Sequence, residues 1–207
     1  MTLQNRVLPT GEITAQAFRG TLMGNRGILH GADQRLKTAR WSHPHWVTCR
    51  LKYKDWHRPV MTPHNYTELF FLDECTALAA GHRPCGLCRH KDYSLFKQAF
   101  MAANTTRNLS ETDRLMQQSR VLPNRAQRRY QAPIETLPDG SFILHQNAPR
   151  LLWQSHLLLC EGGAYTSKIP RPAHGPVTVL TPAPTVAALA HGYRPALHQS
   201  ARHLLPL

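Results

Sequence analysis

Residues 76–91, "TALAAGHRPCGLCRHK", set the terms on which the rest of the chain is read. An alanine-rich run of high helix propensity stops at Gly81, Arg83 and Pro84 follow, and Cys85 and Cys88 stand three positions apart. Glycine takes the left-handed conformation that ends a helix and proline cannot extend one, so the stretch predicts a helix, a sharp stop and a tight turn. Shifting the chain by 111 positions lays residues 188–199, "ALAHGYRPALHQ", over residues 77–88, and Ala, Leu, Ala, Gly, Arg and Pro coincide.

The match predicts a duplicated strand-helix-Gly-x-Arg-Pro unit. Asp73 and Thr185 are placed to cap the two helix starts. Gly81, Arg83 and Pro84 in one unit and Gly192, Arg194 and Pro195 in the other form the structural turn, with each arginine expected to satisfy the last helix carbonyls. Cys75 falls opposite Val186 and is therefore read as a small buried hydrophobe rather than a ligand. Only the first unit carries thiols, since Ala196 and Gln199 stand where Cys85 and Cys88 would be.

Around these units the chain predicts an α+β fold of small antiparallel sheets and short helices. Short apolar pieces between glycines over residues 11–31 read as strands and turns. Within them "MGNRG" lacks the Gly-Lys-Ser/Thr ending of a phosphate loop, yet leaves Arg26 as a cation for an anion to meet. In residues 46–54, "WVTCRLKYK", alternation puts Val47, Cys49, Leu51 and Tyr53 on one face, as in a half-buried strand. "PVMTP" suggests a short return strand and "YTELFF" another strand. "KDYSLFKQAFMAA" has helical spacing. Residues 104–131 are polar and basic, read as short helices and a mobile loop, and residues 137–160 read as a meander with a turn at Asp139-Gly140. The tail from Tyr165 is proline-rich until the helix of the second unit.

The 207 residues carry a formal charge of +13 with a pI near 10.2, which predicts a surface that attracts polyanions. Nucleic acid, DNA or RNA, is the leading partner, an unspecific basic surface is the bland alternative, and a protein partner is a further alternative. The start of the chain lacks the basic and apolar runs of a signal peptide, and no stretch is long and apolar enough for a bilayer, so no membrane partner and a cytoplasmic location are expected. Five cysteines are an odd number with no regular framework, which favours metal or thiol chemistry over disulfides.

Cys-x-x-Cys is the spacing at which two thiolates reach one tetrahedral zinc from a tight knuckle. A redox pair of this spacing opens a helix after a strand, whereas here it follows a helix, a glycine and Arg-Pro, so zinc is favoured. "ELFFLDECTALAAGHRPCGLC" resembles the second half of the zinc-binding domain of Ada-type DNA-repair proteins, and is similar to a small zinc domain attached to some secreted nucleases. That resemblance spans about twenty residues. It implies an α+β zinc module associated with DNA, with Cys85 and Cys88 as ligands. Ada-type domains take two further ligands from an upstream Cys-x-x-x-Cys that is missing here, so their methyl-acceptor chemistry is not carried over. "WHRPVM" offers His57, with Met61 where the nuclease-attached domains place a thiol. Cys49 is either a core residue or the third ligand, and His57, His30, His64 and His82 compete for the fourth place.

The expected organisation is an Ada-like zinc-binding half over residues 1–104, a basic connecting segment over 105–135, and a second half over 136–207 with the metal-free unit. Arg114, Arg120, Arg125, Arg128 and Arg129, with Tyr130 as a stacking platform, are the candidate nucleic-acid contacts. The function expected is a zinc-binding, nucleic-acid-associated protein in DNA binding or repair. The alternatives are a zinc- or thiolate-dependent nucleic-acid-processing enzyme and a protein-interaction module with a structural zinc. No catalytic residue is singled out, because carboxylates are too scarce for a two-metal nuclease.

Overall fold

The computed structural model describes residues 2–55 and 59–205. In chain order the first part comprises β1 (Arg6–Val7), β2 (Ile13–Thr14), β3 (Leu22–Asn25), β4 (Val47–Arg50), β5 (Leu69–Phe71), α1 (Glu74–Ala79), β6 (Arg83–Pro84), α2 (His90–Asn104) and α3 (Leu109–Arg120). It continues with β7 (Tyr130–Pro133), β8 (Phe142–His145), β9 (Ala148–Trp153), β10 (His156–Glu161), β11 (Ala164–Pro170), β12 (Pro176–Val179), α4 (Ala183–Ala190) and α5 (Gln199–Leu204). The strands form two six-stranded sheets among the described residues, ordered β2-β1-β5-β3-β4-β6 and β11-β10-β9-β8-β12-β7. The chain is thus α+β, as its patterning predicts. The second sheet is antiparallel throughout and contains the expected meander, whereas the first includes parallel β1–β5 and β4–β6 pairs.

The two repeat units fold alike. A strand precedes each helix, β5 before α1 and β12 before α4, and each helix stops at its glycine, with φ +81° at Gly81 and +96° at Gly192. The terminal hydrogen bonds recur at the same 111-residue offset. Gly81 N donates to Leu78 O and His82 N to Ala77 O; Gly192 N donates to Leu189 O and Tyr193 N to Ala188 O. Only glycine fits at 81, because a Cβ there would also stand 2.6 Å from Cδ of Arg120.

Two details depart from expectation. Asp73 caps α1 through Thr76 N, but Thr185 lies inside α4, whose N-cap is Pro182 without a side-chain bond. Proline pre-sets the entry φ and the backbone does the rest. Arg194 does reach a last-turn carbonyl, Leu189 O at 3.1 Å. Arg83 instead makes a two-pronged ion pair with Asp113, Nε to Oδ1 at 2.7 Å and Nη2 to Oδ2 at 2.8 Å, because α3 brings a buried carboxylate against it. Burial alone would raise the Asp113 carboxyl, yet the bonds and charge of Arg83 hold it below the usual carboxylate range.

The segment expected to connect two halves contains the packed helix α3, whose Met116 joins Leu78, Phe96, Phe100 and Leu189 in one cluster. Its end is a loop closed by a bridge between Val121 and Gln127, and β7 belongs to the second sheet. A further cluster joins Phe18, Leu72 and Cys75 to Phe142, Leu151, Leu158 and Tyr165, so the two sheets share a core. The suggested return strand at residues 59–63 is turn, while most of β11 and all of β12 arise in the proline-rich tail and α5 follows α4.

Cys75 is fully buried in that shared core, and burial pushes its thiol up. Cys75→Val, which copies the residue of the second unit, is expected to change stability by less than about 1 kcal/mol and to leave metal content unchanged. Urea unfolding and metal analysis of this variant check both; loss of metal would contradict the assignment.

Candidate metal centre

The thiols of Cys49, Cys85 and Cys88 lie within 4.8 Å of one another. Local structure explains the cluster. β4 and β6 run parallel with Thr48 opposite Pro84, and Cys85 N donates to Thr48 O at 2.9 Å, which sets Cys49 and Cys85 side by side. Pro84 stiffens the approach. The chain then turns so tightly that Leu87 N reaches Cys85 Sγ at 3.4 Å and Arg89 N reaches Cys85 O at 3.1 Å, after which α2 begins. The backbone amide of Arg50 points at the Cys88 sulfur.

Beneath the thiols a buried polar network fixes the knuckle. Arg89 donates to Thr48 Oγ1 at 2.9 Å, to Glu74 Oε1 at 2.6 Å and to Asp92 Oδ2 at 3.0 Å. Burial alone would lower Arg89, but the charge of Glu74 raises it. Residue 48 therefore faces inward. Thr48 is buried while Val47 and Cys49 are half-buried and Leu51 is half exposed, so the faces of β4 are opposite to those read from alternation. Cys49 is a member of the thiol cluster rather than of the core.

The three thiols compete for protons. Hydrogen bonds from Cys49 and Cys88 pull Cys85 below the ordinary thiol range, and the same sharing, with burial, pushes Cys49 up. A set of this kind gains by exchanging its protons for a cation. Around tetrahedral zinc, with Zn–S near ~2.3 Å, sulfurs stand about 3.8 Å apart, which the observed spacing accommodates. All five cysteines are free, so no disulfide competes for them.

No fourth His, Cys, Asp or Glu joins the cluster among the described residues. His30 is buried between Thr67 Oγ1 and Thr62 O. His82 is buried against Phe71 and Trp46 and is met by Arg26 Nε, and His64 is exposed. His57 lies outside the described residues. The thiols open on a cleft of about 780 Å³ whose walls include Met23, Val47, Tyr66, Phe70 and Leu87 with Glu68.

The candidate nucleic-acid contacts divide. Arg114, Arg125, Arg128 and Arg129 are exposed. Arg120 is not a surface residue: at 2% exposure it is among the largest buried side chains of the described residues, it donates to Gly81 O at 2.7 Å and to Pro44 O, and it meets solvent only as part of a cleft wall. Tyr130 is half-buried against the core of the second sheet, where burial pushes its hydroxyl up to about 12; its ring is committed to packing. No helix among the described residues is long and apolar enough to cross a membrane. No family model, curated protein or solved structure matches the chain.

Proposed function

We propose that the chain is a zinc-binding protein associated with nucleic acid, in which Cys49, Cys85 and Cys88 hold one zinc ion that supports the fold. The thiol triad is the observation that carries this reading. Three thiolates favour a borderline-soft ion over magnesium or calcium, and zinc is the common tetrahedral choice. His57, which the sequence offers upstream of the knuckle, is the proposed fourth ligand. The Ada-type resemblance of residues 68–88 favours DNA as the polyanion, and the +13 charge with exposed Arg114, Arg125, Arg128 and Arg129 supports a polyanion of either kind.

Metal analysis of the purified chain is expected to find one zinc per molecule. Fluorescent oligonucleotides are expected to bind with affinity that falls steeply as salt rises, because each neutralised phosphate releases counterions. Replacing Arg125, Arg128 and Arg129 by alanine is expected to weaken binding to all sequences alike and to flatten the salt slope by roughly two to three units. No binding at low salt, or an unchanged slope, would point to a protein partner. The cleft beside the thiols favours one second reading, a zinc- or thiolate-dependent enzyme acting on nucleic acid, with the substrate placed in that cleft.

A further inference from the structure

Two guanidinium groups lie against one indole. The Cζ atoms of Arg26 and Arg120 stand 4.1 and 3.8 Å from the centre of the Trp46 ring, and the two arginines are only 3% and 2% exposed. Arg83 and Arg89, equally buried, each hold a carboxylate. Arg26 and Arg120 hold none among the described residues: Arg120 is bonded to carbonyls and to Gln117, and Arg26 gives its Nε to His82 at 3.2 Å while its Nη2 has no partner. Stacking on tryptophan offsets part of the cost of burying a charge, and Asp113 attracts Arg120, but that carboxylate is already held by Arg83 and two neighbouring cations remain undercompensated. Burial, with Arg40 nearby, pushes Arg26 down to about 9, and burial with Arg26 nearby pushes Arg120 down as well. Something negative would relieve both.

Both arginines line a cleft of about 360 Å³ that shares no residue with the cleft at the thiols. Arg40, Arg125 and Arg129 complete its basic lining, against a single carboxylate, Glu12. Thr10 and Gln127 line it too, and Thr10 Oγ1 and Gln127 Oε1 are buried without partners among the described residues. The half-buried Trp41, its ring 5.9 Å from that of Trp46, adds an aromatic wall. Five cations, spare hydrogen-bonding atoms and a flat apolar surface are what a phosphate with a planar group attached requires.

We propose that this cleft is a binding site for the phosphate group of a nucleotide, free or at the end of a nucleic-acid strand. The oxyanion adds the counter-charge that Arg26 and Arg120 are short of, Arg40, Arg125 and Arg129 gather it at the mouth, and the base stacks on Trp41. The site does not depend on zinc. Only its nucleic-acid form rests on the function proposed above.

The test uses the zinc-loaded full chain at low salt, with tryptophan fluorescence and calorimetry as readouts. The probes are pyrophosphate, AMP, and oligothymidylate ten nucleotides long with and without a 5′-phosphate. Saturable binding of AMP and pyrophosphate is expected, about tenfold weaker in Arg40→Ala and unchanged in Lys168→Ala, an exposed cation outside the cleft. Arg26→Gln is expected to abolish it, and Arg40→Ala, at the rim, keeps the test decisive where Arg26→Gln fails to fold. Tighter binding of the 5′-phosphorylated strand than of the unphosphorylated one assigns the site to strand ends. Binding of AMP with no strand binding supports the cleft as a site for free nucleotides and removes nucleic acid from the proposed function. Absence of saturable binding by AMP and pyrophosphate, or equal affinities in Arg40→Ala and the unmodified chain, would overturn the proposal whatever the oligonucleotides do.

Discussion

Cys85→Ser protein is expected to be purified without zinc and to unfold about 10–20 °C below the unmodified chain. At neutral pH a serine hydroxyl keeps its proton, so the site loses one of three anionic donors that β4 and the knuckle bring within 4.8 Å. In small zinc peptides metal binding supplies about 10–16 kcal/mol of folding free energy, comparable with the whole net stability of a domain, about 5–15 kcal/mol. This chain has other support, since the second sheet owns a cluster of Ile134, Leu137, Ile143, Leu152, Leu157 and Val179. A loss of about 5 kcal/mol is therefore the expected scale, and at ~2–4 °C per kcal/mol for this length it gives the stated shift. Damage should be uneven. Amide exchange is expected to accelerate first at the Cys85 N–H bonded to Thr48 and at the start of α2, and least in β8 to β10. Chelation of the unmodified chain should reproduce the effect, while Cys160→Ser, outside the cluster, should keep its metal. Full zinc occupancy in Cys85→Ser, or a melting temperature indifferent to chelation, would remove the structural zinc from the account.

The parts of this site that were legible in the sequence are those encoded locally. Cys-x-x-Cys after a glycine stop specifies a knuckle, and both helix ends follow from Gly81 and Gly192. What the sequence conceals is pairing across distance. Thr48 looks like the outward residue of an amphipathic strand, but Arg89, 41 positions later, donates to its hydroxyl, and that bond turns the strand over. The same rotation takes Cys49 out of the core and puts it beside Cys85. Arginine is a surface residue by default, so Arg83, Arg89 and Arg120 could be placed inside only by knowing that Asp113, Glu74 and the carbonyls of Gly81 and Pro44 would meet them. The repeat was informative for the same reason that it misled. It specified the backbone turn shared by both units, yet the arginine of each turn found a different acceptor because Asp113 of α3 meets Arg83 while Arg194 turns back to Leu189 O.

Removing the Glu74 carboxylate is expected to cost about 3–5 kcal/mol and to loosen the contact between the two repeat units. Its Oε1 accepts from Arg89 at 2.6 Å and from the Tyr193 hydroxyl at 2.5 Å, and its Oε2 accepts from Ala196 N at 3.0 Å. Glu74→Ala leaves a buried guanidinium whose remaining acidic partner, Asp92, is 41% exposed, and breaking a buried ion pair on one side costs about that amount. Two further donors lose their acceptor, and both belong to the turn that follows α4. Asp73, next in line, binds the same segment through His198 N at 3.1 Å, so the first residues of α1 hold the second unit by its post-helix turn. Coupling should therefore be visible across 119 positions of sequence. In urea unfolding, Glu74→Ala and Tyr193→Phe are expected to be non-additive by about 0.5–3 kcal/mol, since the second change removes a donor the first has already orphaned. Glu74→Gln, which keeps an oxygen but no charge, should lose less than Glu74→Ala. Additive losses, or a Glu74→Ala cost below about 1 kcal/mol, would mean that the shared core of Phe18, Leu72, Phe142 and Tyr165, rather than this carboxylate, joins the units.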